Sequence, residues 1–246
     1  AFRRRWMRWG SKGLIGQGPE WPVPDSNGLE MNLSSLRRKP ESSPEGPRFW
    51  YRLDSGFRRN DGLNFGEENM QMLTRDNLMS LEQYAKVRPQ FRAEVMAHKR
   101  DRQVAIGPNA TLYFEDRLTM QYQVQEMLRI ERVFEAEGIE DELGAYNPMI
   151  PDGSNWKATF MIEYGDIDKR RVALMNMVGI EHRVWVQVAG CERVYAIADE
   201  DLERATEDKT SSVHFLRFQL TPAMVTAAKK GAAVAMGIEH DAYNHT

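Results

Sequence analysis

The sequence predicts an α+β domain over residues 72–246, a largely antiparallel sheet with helices packed on one side, preceded by a disordered segment over residues 1–71. Three observations predict it: a break in composition near residue 71, a helical-period apolar stripe from Leu118, and β-rich runs separated by turn formers rather than by crossover helices. Residues 1–71 hold 9 of the 18 glycines and 6 of the 11 prolines, too many chain breakers for long periodic elements. They also carry 12 Lys and Arg against 9 Asp and Glu, whereas the remainder has 21 against 27, a net charge of −6.

The opening AFRRRWMRWG lacks the apolar run of a secretory signal, and Glu20, Asp25 and Glu30 argue against an organelle transit peptide. The run from Phe49 to Gly62 resembles translated repeat DNA, so the expected start is Met70 or Met72; the alternative is a basic arm that binds something acidic. One cysteine, Cys191, excludes an internal disulfide framework and a multi-Cys zinc site. No run of about 18 apolar residues exists, so no membrane span is expected and the location expected is cytoplasmic.

Thr74 and Asp76 offer cap oxygens for a short helix through Leu78, Leu81, Ala85 and Val87, which Pro89 interrupts; a second helix follows over Phe91 to His98. Arg102 to Ile106 and Ala110 to Glu115 read as a hairpin around Gly107-Pro108-Asn109. From Leu118 to Glu137, Met120, Val124, Met127, Leu128 and Phe134 form one buried stripe, with Gly138 as the stop. Asn155 to Tyr164 alternates with period two, a strand. Asp166 or Asp168 caps a helix ended by Gly179, and His182 to Val188 pairs with Arg193 to Ala198 through Ala189-Gly190. Asp199 to Asp208 reads as a solvated helix or loop. Ser212 to Leu220 is a further strand, and Thr221-Pro222 opens a last helix that Gly237 stops.

No GxxxxGK[ST], GxGxxG, HExxH, GxSxG or CxxC signature is present, so no reaction is named and no cofactor is required. The charge of −6 argues against a nucleic-acid partner. Six residues stand out as candidate functional or buried polar groups: Glu126, Arg129, Glu131, Glu163, His214 and Arg217. Glu131 falls in the middle of the apolar stripe, where a carboxylate needs a cation, a metal or a proton, an Arg being the first expectation. Gln121, Gln125, Arg129 and Arg132 fall on the opposite, solvated face. His214 shares a strand face with Leu216, Phe218 and Leu220, as a core histidine or, with Glu131 and Glu163, as a ligand for iron, manganese or zinc. Arg117, Arg129 and Arg217 could fork small anions, although pairing with the abundant Asp and Glu is the ordinary role. His240 and His245 lie in a terminus expected to fray.

The segments FEDRLTMQYQVQEMLRIE (Phe114 to Glu131), YNPMIP (Tyr146 to Pro151), KATFMIEY (Lys157 to Tyr164) and SSVHFLRF (Ser211 to Phe218) together resemble a bacterial domain-of-unknown-function family. The resemblance covers essentially Met72 onward. It implies genes often placed beside those of rubrerythrin-like proteins and iron–sulfur oxidoreductases, hence an accessory protein of a redox or peroxide-defence system with such a protein as partner. It brings no catalytic residues, and gene neighbourhood is an association rather than chemistry.

Overall fold

The computed structural model describes residues 70–200 and 204–246. Apart from Met70 and Gln71, the segment expected to be disordered lies outside the described residues, as do positions 201–203 of the acidic stretch.

The architecture is α+β with antiparallel strands throughout. Helix α1 (Leu81–Arg100) leads into the hairpin β1 (Gln103–Ala105) and β2 (Ala110–Phe114), then α2 (Arg117–Glu131) and α3 (Ala136–Tyr146). Strand β3 (Asn155–Ile162), helix α4 (Ile167–Asn176), β4 (Val184–Val188), β5 (Val194–Tyr195), β6 (Ile197–Ala198), β7 (Val213–Gln219), α5 (Pro222–Lys229), β8 (Val234–His240) and β9 (Tyr243–His245) complete it.

Instead of one sheet there are two, ordered β1-β2-β3-β7-β6 and β5-β4-β8-β9, and their inner faces share one core. Period two assigns the faces. Leu112 pairs with Phe160 and Phe160 with His214, so Ala110, Leu112, Ala158, Phe160, Ile162, Leu216 and Phe218 point inward against Val184, Val186, Val188 and Ile238 of the second sheet. At one edge the chain passes between sheets across a single residue, Ala196, which separates β5 from β6. At the other edge the Tyr243 hydroxyl donates to the Ile106 carbonyl at 2.8 Å and accepts from the Asn109 N–H at 2.9 Å, which ties β9 to the β1–β2 turn. Gly107 is required there, since its φ is +69° and a Cβ would lie 2.6 Å from the His245 ring.

Helices α1, α2 and α3 make a second layer with its own apolar interior, including Tyr84, Val95, Met120, Tyr122, Val124, Leu128, Leu143 and Tyr146, whereas α4 and α5 pack on the core shared by the sheets. This layer meets the outer face of the first sheet, where the buried Thr159 hydroxyl donates to Glu115 at 2.6 Å and Lys157 donates to the Pro148 carbonyl.

Several boundaries differ from the sequence reading, each for a local reason. The expected pair of short helices is one continuous α1, capped by Ser80 in a reciprocal box with Gln83, while Thr74 caps only a 3-10 turn. Pro89 sits inside α1 on its exposed side, so the Ala85 carbonyl that loses its partner faces water. Arg88, the residue that proline pushes out of the helical region, is held by an ion pair. The long helix expected through Glu137 stops at Glu131, because Arg132 adopts a left-handed conformation with φ 54°. Phe134 is consequently outside the stripe and 62% exposed. Gly138 is no stop but lies within α3, where a Cβ would come 2.7 Å from Val133. The last helix ends at Lys229 rather than Gly237, which lies within β8 under the Trp185 ring. The terminus expected to fray is the β8–β9 hairpin.

Candidate functional site

Two buried ionisable side chains organise the molecule, one in each layer. The first is Glu126. Tyr84 and Arg88 are one turn apart on α1, and Glu126 and Arg129 one turn apart on α2, so the packed helices bring all four together. The Tyr84 hydroxyl donates to Glu126 Oε1 at 2.6 Å. Arg88 forks the same carboxylate through Nε at 2.7 Å and Nη2 at 2.9 Å, and Arg129 Nη2 adds a donor at 3.0 Å. Burial alone would push the Glu126 carboxyl up, but the hydrogen bonds from Arg88, Arg129 and Tyr84 win and bring it down to about 2. Burial and the adjacent carboxylate raise the Tyr84 phenol, and burial with the same carboxylate raises Tyr122, against the pull of Arg92.

The second is His214, fully buried on β7 and stacked on Phe160. Its Nδ1 faces Asp199 Oδ2 at 2.6 Å; its Nε2 faces Thr210 Oγ1 at 2.9 Å and the Ser211 carbonyl at 3.1 Å. Asp199 also accepts from Arg204 and from the Phe215 N–H, and it holds a left-handed φ of 52°, a conformation uncommon outside glycine. Thr210 donates to Glu181, whose carboxylate lies 3.8 Å from His214 Nε2. The histidine thus ties Asp199, Thr210 and the turn before β4 to the sheet core.

The remaining candidates are dispersed. Glu131 is the last residue of α2 and half-buried, not central to a closed stripe. Glu163 is exposed and accepts from the Thr111 hydroxyl; by parity with Phe160 and Ile162 it lies on the sheet face opposite His214. Arg217 forks Glu200 at 2.7 Å. The face of α2 expected to be solvated is covered instead: Gln125 is fully buried and brackets the Met79 backbone, and Glu126 is fully buried beside it. Among the described residues, no group of three His, Cys, Asp or Glu is arranged to hold a metal. Two further pairs brace α1: His98 with Asp116 at 2.6 Å, and Lys99 with Glu115 at 3.9 Å. Sequence reading missed Tyr84, Arg88, Asp199 and Glu181. For the first two, the spacing Tyr84-x-x-x-Arg88 was an available signal, since it aligns both on one helix face.

These features define a class: an α+β domain with paired antiparallel sheets, a helical layer and a charged node in each. The chain belongs to the DUF3501 family, described as a protein of unknown function, which it matches over residues 72–246. A solved structure, a novel protein of unknown function from Burkholderia pseudomallei K96243, is similar at 53% identity with a TM-score of 0.69, covering 72% of this chain and 91% of that one. No curated protein matches. No described helix is long and apolar enough to cross a membrane.

Proposed function

We propose that the domain is an accessory protein of a redox or peroxide-defence system, docking on a rubrerythrin-like or iron–sulfur partner. The observation that carries docking is α4. It leans on the core through Ala173 and Leu174, yet no residue of it is fully buried. Ile167, Val172, Met175 and the following Val178 are 72%, 53%, 54% and 38% exposed, with the exposed Asp168–Arg171 ion pair among them. A cluster of exposed large apolar side chains on one short helix supports an interaction surface. Lys169, Arg170 and Arg171 outnumber Asp168 on the same helix, which favours a partner with acidic groups around an apolar centre. The redox identity of that partner is supported by the family resemblance of the four sequence segments.

The test is co-purification of the full chain with a candidate rubrerythrin-like or iron–sulfur protein, wild type against Met175→Glu. Retention of the partner by wild type and its loss from Met175→Glu is the expected result. Equal retention, or none by either chain, would sink the reading. Elemental analysis of untagged protein addresses the rival, metal binding through Glu131, Glu163 and His214; under about 0.1 metal per chain with stability unchanged in chelator removes it.

A further inference from the structure

We propose that Arg88 and Arg129, on the seam between α1 and α2, form a binding site for a small oxyanion, the phosphate or carboxylate group of a ligand. Two guanidiniums converge there on one carboxylate. Each turns its Nε and Nη2 edge toward Glu126, at 2.7 and 2.9 Å for Arg88 and at 3.4 and 3.0 Å for Arg129. A guanidinium has five N–H donors, so each arginine keeps its Nη1 group for another acceptor. Among the described residues neither arginine has a second carboxylate within ion-pair distance. Three arginines elsewhere show the one-to-one pattern instead: Arg193 pairs with Glu239, Arg204 with Asp199 and Arg217 with Glu200. Arg88, Arg129 and Glu126 together therefore carry one net positive charge.

The geometry suits recognition rather than bracing alone. Glu126 is completely enclosed, whereas the Arg88 and Arg129 side chains are 30% and 37% exposed. Glu126 acts as a positioning residue through its acceptor oxygens, one of which the amide of Glu126→Gln retains, and Tyr84 donates to the same carboxylate. The spare groups donate only, which selects an acceptor with two or more anionic oxygens and rejects neutral or cationic ligands.

Isothermal titration of the full chain in low-salt buffer, with inorganic phosphate and separately with a short Asp/Glu peptide, tests the site. Saturable millimolar binding of either probe, weakened by added salt, is expected, and the tighter of the two names the source of the oxyanion. Arg129→Gln should bind about tenfold more weakly, and Arg129→Lys, which keeps the charge but loses the fork, should fall between. Glu126→Gln should bind more tightly than wild type, by about threefold or more, because it removes the internal counter-charge; a purely structural cluster would not move in that direction. Thermal melts confirm that each variant is folded, and the lysine variant keeps the test decisive if Glu126→Gln is not. No binding of either probe at tens of millimolar, equal binding by Arg129→Gln, or an equal loss in the exposed variant Arg183→Gln would overturn the proposal.

Discussion

The helical layer and the paired sheets each enclose an ionisable group completely, Glu126 and His214, and they handle it in opposite ways. Around Glu126 cations outnumber the carboxylate, and the arginines that neutralise it stay partly in water. Around His214 two carboxylates and Arg204 surround the ring, and every one of those side chains is at most 9% exposed. The first arrangement leaves donors available at a surface; the second leaves nothing available and locks a loop to a strand. A buried charge is thus no pointer to function by itself: what decides is whether its counter-charges are sealed with it.

The largest effect tests the sealed node. His214→Ala removes the common partner of Asp199 and faces Glu181 with a void, and should cost about 3–5 kcal/mol, read from urea denaturation. A loss below about 1 kcal/mol would show that the loop is held by Arg204 and the Phe215 N–H without it. The open node should reveal itself through pH. The Glu126 carboxyl is lowered from its ordinary 4.5 to about 2, so the stability it contributes is complete above about pH 4.5 and is lost as pH falls toward 2. The urea midpoint of wild type should therefore drop more steeply between pH 5 and pH 2.5 than that of Glu126→Gln; parallel curves would mean that the ion pairs do not persist in solution. Asp116, which burial would raise but His98, Arg102 and the Thr119 N–H hold down, supplies a background slope common to both chains.

The smallest effects set the two layers against each other by one chemical change. Gly237→Ala places a methyl 2.5 Å from the Trp185 ring and should destabilise by about 1–3 kcal/mol. Gly144→Ala, in α3 with nothing within 4 Å, should stabilise by about 0.5–1 kcal/mol. Thermal melts giving the same sign for both would contradict the packing described.

Strands were largely legible in the sequence because period two needs only the chain itself: Ala158, Phe160 and Ile162 announce an inward face whatever lies opposite. Helix α2 was half legible. Taken alone it shows one apolar stripe, and the polar face with Gln121 and Gln125 looks solvated; Glu126 stood out as a candidate, but its partners Tyr84 and Arg88 come from α1. His214 was visible as a polar residue among apolar neighbours, but Asp199 was not, since it sits in an acidic stretch where nothing distinguishes the one carboxylate that turns inward. The two glycines read as helix stops, Gly138 and Gly237, are small for a different reason, the close approach of Val133 and of Trp185, which no local pattern encodes.

The Tyr243 contact at the sheet seam joins positions 137 residues apart. Closing so long a loop adds little to the free energy lost, which grows only with the logarithm of length, but such distant encounters slow the search for the native arrangement. During that search the free edges of β1 and β9 remain unpaired templates for other strands. Refolding yield should accordingly fall with protein concentration, with association through these edges competing against closure.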